Sequence, residues 1–129
     1  MRVDRVACPW LIRRFVDSEA EFLFVPTDSD LSKIAAIPFD WPGVEFGHVD
    51  GRCSFESIIL IYNLTDPALL KLAKIVHAAD TGTGSEEGPE GPGLSAIARG
   101  FGRLFAADHE ILARESVVCD ALYAYYQGK

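Results

Sequence analysis

The stretch Leu69–Asp80, LLKLAKIVHAAD, constrains the fold most strongly because its apolar residues recur at the helical period. Those apolar residues are Leu69, Leu72, Ala73 and Val76. His77 and Asp80 continue the same face, so an imidazole and a carboxylate are predicted to point inward. Asp80 lies at the helix C-terminus, where the dipole disfavours negative charge and a cation, a metal or strong donors are needed. A buried His77–Asp80 hydrogen bond is the simpler interpretation.

The length of 129 residues predicts one domain, 1–129, with a single core. The formal net charge of −7 makes nucleic-acid binding unlikely for this domain alone. Cys8, Cys53 and Cys119 form neither a CxxC motif nor an even set, so we expect no disulfide framework. With no apolar run long enough to cross a membrane and no signal-like start, we expect a soluble, cytoplasmic protein.

Alternation of strand-like and helix-like segments predicts an α/β fold, with α+β as the alternative. The sheet is expected to be small and mostly parallel, with about three strands and five or six helices. The predicted strands are Arg2–Val6, Ala20–Val25 and Val44–His48. The predicted helices start near Pro9, Asp28, Ser54, Pro67, Leu94 and Asp108, and Thr81–Gly93 is a flexible loop.

The first predicted strand-to-helix junction carries residues typical of an anion or thiol site. Cys8 precedes Pro9 and is predicted to be a helix N-cap, where the dipole lowers a thiol pKa. It is therefore a candidate redox or catalytic thiol, although a packing role is simpler. Arg5 and Arg13 are candidate oxyanion-binding residues, and Asp4 is a supporting residue or the partner of a structural Asp4–Arg5 pair.

Two histidines and two acids form a candidate metal site: His48, Glu56, His77 and Asp80. Nitrogen and oxygen ligands of this kind suit Fe, Mn or Zn. Glu56 is also explained by its place in the first turn of a helix, and His48 by a surface loop. A nucleophilic arrangement of Cys8, His77 and Asp80 is a further hypothesis.

Several segments together resemble a known family. They are VDRVACPWLIRRFVD at Val3–Asp17, followed by AEFLFVP, then GRCSFE at Gly51–Glu56, LTDPAL at Leu64–Leu69, IVHAAD at Ile75–Asp80, GLSAIA at Gly93–Ala98 and DALYAY at Asp120–Tyr125. In this order they resemble the chromate resistance protein family, specifically the C-terminal domain of its chromate-responsive regulator. The resemblance implies a role in chromate resistance. It also implies that full-length members join this domain to an N-terminal portion and are linked to chromate-dependent control of a resistance operon.

Three functions follow as hypotheses. The first is a chromate- or metal-responsive sensing and binding module, with chromate or a metal ion as its ligand. The second is a metal- or thiol-dependent oxidoreductase that reduces chromate or removes oxidative by-products. The third is a non-catalytic interaction domain that forms a homo-oligomer.

Overall fold

Five α-helices form the framework of the chain in a computed structural model that describes residues 3–26 and 28–128. They are α1 (Asp4–Phe15), α2 (Ser54–Ile61), α3 (Pro67–Thr81), α4 (Gly91–Leu104) and α5 (Asp108–Tyr126). Between α1 and α2, the described residues form one 3₁₀ turn, Leu31–Lys33, and are otherwise irregular. None of the helices in the described ranges is long and apolar enough to cross a membrane.

The predicted α/β fold is wrong, and so is its α+β alternative, because residues 3–26 and 28–128 contain no β-strand. Only two isolated bridges occur there, a parallel one between Phe39 and Phe46 and an antiparallel one between Val49 and Arg52. The segment predicted as the strand Ala20–Val25 is irregular. Its aromatic side chains pack instead of pairing: Phe22 belongs to a small core cluster with residues of α1 and α5.

The N-terminal strand prediction is also wrong where the structure describes it, because α1 already begins at Asp4. Arg2, part of that prediction, lies outside the described residues. Pro9 is inside α1 and does not open it, so Cys8 is a buried mid-helix residue and not an N-cap. Proline inside a helix removes one hydrogen bond to the carbonyl four residues earlier, and here tertiary packing overrides that cost.

Helix α3 is the centre of the fold, since it contacts each of the other four helices. It begins as predicted: Asp66 is the N-cap and accepts the Leu69 N–H at 3.0 Å, while Pro67 is the first helical residue. Leu69 and Leu72 are fully buried, and Val76 is buried with them. The predicted apolar face of this helix is confirmed.

Helix α4 packs closely against α3 through glycines at its entry. A Cβ added at Gly91 would lie 2.5 Å from the Ala78 Cβ, and one at Gly88 would lie 2.5 Å from the Lys74 carbonyl oxygen. Helix α4 begins at Gly91, three residues before the predicted start at Leu94. On α5, Tyr125 is 70% exposed, and Tyr123 is the buried tyrosine.

Candidate metal centre

Three carboxylates surround the imidazole of His48. Its Nε2 atom lies 3.0 Å from Asp80 Oδ2, 3.6 Å from Asp4 Oδ2 and 3.7 Å from Asp40 Oδ1. We call these four residues the carboxylate centre. Ligand atoms of Asp4, His48 and Asp80 all lie within 4.8 Å of one another, so this set has the spacing needed to hold one metal ion.

The acids of the carboxylate centre are far more buried than the histidine. The side chains of Asp4, Asp40 and Asp80 are 0%, 6% and 2% exposed, whereas His48 is 42% exposed. The centre therefore directs the oxygens of three buried carboxylates at one half-exposed imidazole nitrogen. Buried like charges are costly unless a cation or a proton compensates them.

Different parts of the chain supply the carboxylate centre, and α2 ties them together. Asp4 is the first residue of α1, Asp80 is near the end of α3, and His48 lies in the connection before α2. At the start of α2, Ser54 donates its N–H to Asp4 Oδ2 at 3.0 Å and its hydroxyl to Asp40 Oδ1 at 2.7 Å. A charged acceptor at a helix N-terminus is stabilised by the helix dipole.

A second group lies at the N-cap and first turn of α2 and on α3. We call Cys53, Glu56 and His77 the cysteine triad, since their ligand atoms also lie within 4.8 Å of one another. Glu56 Oε1 is 2.6 Å from His77 Nδ1 and accepts the Cys53 N–H at 3.1 Å. The second of these contacts is a helix-capping bond, as expected for an acid in the first turn.

The thiols are buried and favour their neutral forms. Burial, together with the nearby charges of Asp4 and Asp40, raises the pKa of Cys8 well above its ordinary value. Burial also raises the pKa of Cys53, and it raises the pKa of Cys119 to about 12. The lowered pKa expected for Cys8 at a helix N-terminus is therefore wrong in direction, because the helix begins four residues earlier.

The two candidate oxyanion-binding arginines face the segment that follows α1. Arg5 pairs with Asp108 at 3.5 Å and stacks on the Phe24 ring. Arg13 donates to the Ala20 carbonyl at 3.0 Å and lies over the Phe22 ring. Anion binding at these residues stays a prediction, and both side chains already have partners that hold the irregular segment against α1.

Comparison with known proteins identifies the family. A family model described as ChrB, C-terminal domain, matches residues 1–126. The chain belongs to this family. It is 35% identical over 127 residues to Protein ChrB of Cupriavidus metallidurans, covering 98% of this chain and 38% of that protein. No solved structure matches the chain.

This ChrB domain therefore comes from a chromate resistance family, as the sequence motifs indicated. The chain spans well under half the length of the curated relative that it matches. The resemblance recognised from the segments at Val3–Asp17 and Ile75–Asp80 is confirmed over nearly the whole chain.

The four metal ligands predicted from the sequence of this ChrB domain divide between two groups. His48 and Asp80 lie in the carboxylate centre, and Glu56 and His77 lie in the cysteine triad. Asp4, predicted as a supporting residue, joins the first group. Sequence reasoning missed Asp40, which precedes Trp41-Pro42 in an irregular loop, and it did not place Cys53 in a metal site. Only the nearby capping pattern of Cys53 and Glu56 offered a signal for the second group.

Proposed function

We propose that this ChrB domain is a chromate- or metal-responsive binding module whose carboxylate centre holds a divalent cation. Asp4, His48 and Asp80 would be its ligands, with Asp40 beside them. The observation that carries this proposal is the burial of three carboxylates around one imidazole Nε2. Ligand atoms of Asp4, His48 and Asp80 lie within 4.8 Å of one another, which is the spacing that one divalent cation needs.

The donor set indicates which cations would bind. Carboxylate oxygens and one imidazole nitrogen suit Mn, Fe or Zn, and they do not suit soft ions such as Cu(I). Asp4 and Asp80 provide oxygens that face the same imidazole, and Asp4 is already oriented by the Ser54 N–H. Ligands held in this way by hydrogen bonds from outside the site bind metal more tightly than mobile ones.

The negative charge of the carboxylate centre bears on whether chromate itself could bind there. A chromate anion is repelled by a group of three carboxylates, so direct entry into this centre without a cation is unfavourable. The proposed response therefore runs through the cation. Its bonds would link Asp4 of α1 and Asp80 of α3 to His48 in the connection before α2.

Thermal unfolding with and without cations tests the proposal. A ligand that binds only the folded state stabilises it by about 2.7 kcal/mol at one hundred times its Kd. For a domain of this size that corresponds to a Tm increase of roughly 10 °C. We expect such an increase with Mn²⁺ after removal of bound metal, and we expect Asp4→Asn and Asp80→Asn to abolish it.

The matched control is Asp28→Asn, which removes an exposed carboxylate from the irregular segment. This variant should keep the full cation-dependent increase. Circular dichroism would show that each variant retains its helices. An unchanged Tm of the wild type with every divalent cation tried, or an equal increase in Asp80→Asn, would contradict the proposal.

A further inference from the structure

We propose that the cysteine triad is a second cation site, separate from the carboxylate centre, for a softer divalent ion of the Zn²⁺ or Co²⁺ type. Its ligands would be Cys53 Sγ, a Glu56 carboxylate oxygen and His77 Nδ1. No residue of this triad belongs to the carboxylate centre, so this proposal does not depend on the proposed function.

The triad has the geometry of a metal site before any ion binds. The three candidate ligand atoms lie within 4.8 Å of one another, and His77 Nδ1 is 2.6 Å from Glu56 Oε1. Metal–ligand distances of about 2.0–2.3 Å place the ligands of one ion roughly 3–4 Å apart. Small side-chain movements would therefore suffice, with Glu56 turning from its helix-capping bond toward the ion.

The other nitrogen of His77 already has a partner that suits a metal ligand. Its Nε2 lies 3.4 Å from the Thr83 hydroxyl, which can accept an N–H from that nitrogen. Thr83 is itself held by the Thr81 hydroxyl at 2.8 Å. Without an ion, the 2.6 Å contact requires a proton between His77 Nδ1 and Glu56 Oε1. An ion bound at Nδ1 would displace that proton to solvent, and an Nε2–H donated to Thr83 would then fix the tautomer of the metal-binding imidazole.

An ion can reach the triad from the side of His77 and Glu56. These side chains are 24% and 28% exposed, whereas Cys53 is fully buried behind them. The loop after α3 passes over the imidazole, because a Cβ at Gly84 would lie 3.5 Å from the ring, and the φ of +80° there favours glycine. Exposed acids of that loop, Glu86 and Glu87, add negative potential at the entry.

The donor types separate the two sites chemically. Sulfur and imidazole ligands favour Zn²⁺ and Co²⁺, whereas the oxygen-rich carboxylate centre favours harder ions. On binding, a bond forms between the ion and Cys53 Sγ, and the thiol proton leaves to solvent. Three protein ligands leave a fourth tetrahedral position open, so the bound ion would be able to take water or an exogenous anion.

Titration of the metal-free protein with Co²⁺ tests this inference, because thiolate–cobalt bonds give a charge-transfer absorption that oxygen ligands do not. We expect the wild type to bind two equivalents and to show the thiolate band. Cys53→Ser should lose the band and one equivalent. Asp80→Asn should keep the band and lose the other equivalent, and Cys119→Ser, a buried cysteine on α5, should keep both.

A wild type without the thiolate band, or a band that persists in folded Cys53→Ser, would overturn the inference. If Cys53→Ser fails to fold, Glu56→Gln provides the test. In this variant the Co²⁺ concentration at half-saturation of the thiolate band should rise at least tenfold. An unchanged concentration would overturn the inference. If the thiolate band appears but Asp4→Asn and Asp80→Asn do not change cation binding, this site is supported and the proposed function is contradicted.

Discussion

At the scale of single residues, burial places acids where sequence reasoning does not expect them. Glu115 is on the long helix α5, and its side chain is among the largest that are fully buried. Its Oε1 atom has no hydrogen-bond partner among residues 3–26 and 28–128. Burial raises the pKa of this carboxyl from 4.5 to about 7. The protonated acid is therefore the form that the folded state prefers.

This preference predicts a pH dependence of stability. Because the folded state holds the proton more tightly than the unfolded state, the contribution of Glu115 is complete below pH 4.5 and is lost as the pH rises to about 7. A shift of this size corresponds to about 3 kcal/mol. In the presence of a chelator, we expect Glu115→Gln to match the wild type at pH 5 and to exceed its unfolding free energy at pH 8.

Urea unfolding at both pH values measures this difference. Glu110→Gln is the control, since Glu110 is exposed on the same helix and pairs with Arg114 at 3.4 Å. It should leave the pH dependence of the wild type unchanged. The same loss of stability between pH 5 and pH 8 in Glu115→Gln and in the wild type would show that Glu115 is not the group responsible.

The side chains of the two candidate sites show how much of a site the hydrophobic periodicity of a sequence can predict. The period of α3 predicted correctly that Asp80 faces the interior. It did not predict that His77, three residues earlier, contacts a different group, since that depends on where the first turn of α2 lies. Asp40 has a φ of 50° in an irregular loop, and no periodicity links it to His48. Long-range placement of this kind is set by tertiary packing.

At the scale of elements, helices with caps were predictable and extended segments were not. Asp66-Pro67 and the apolar face of α3 are local signals, and the helix begins where they indicate. Ala20–Val25 has the composition of a strand, but strands are stabilised by cross-strand neighbours that composition does not reveal. Here Phe22 and Phe24 make edge-to-face contacts with Phe39 and His109 instead. Aromatic packing replaces the sheet.

The close approach of α3 and α4 predicts opposite effects of alanine at two nearby glycines. Gly91→Ala would force a Cβ to within 2.5 Å of Ala78, and overpacking of this kind costs about 1–3 kcal/mol. A Cβ at Gly93 meets nothing within 4 Å, so Gly93→Ala should stabilise α4 by up to about 1 kcal/mol. Thermal unfolding of the two variants compares them directly, and equal Tm values would contradict this packing.

At the scale of the whole molecule, the sequence motifs identified the family, whereas the hydrophobic periodicity predicted the wrong fold class. The family was recognisable from distinctive segments spread along the chain, and the family match covers residues 1–126. The architecture was not, because an α/β alternation and a helical array with irregular connections produce similar local signals. The packing of α1, α2 and α3 against one another brings Asp4, Ser54 and Asp80 together. The proposed function depends on this convergence.

The position of a bound ion is the most direct test of that proposal. Crystals of the metal-free protein soaked in Mn²⁺ and measured for anomalous scattering would locate it. We predict a peak about 2.0–2.3 Å from carboxylate oxygens of Asp4 and Asp80 and from His48 Nε2. Saturating Mn²⁺ with no anomalous peak between these three side chains, in crystals where they remain accessible, would contradict the account.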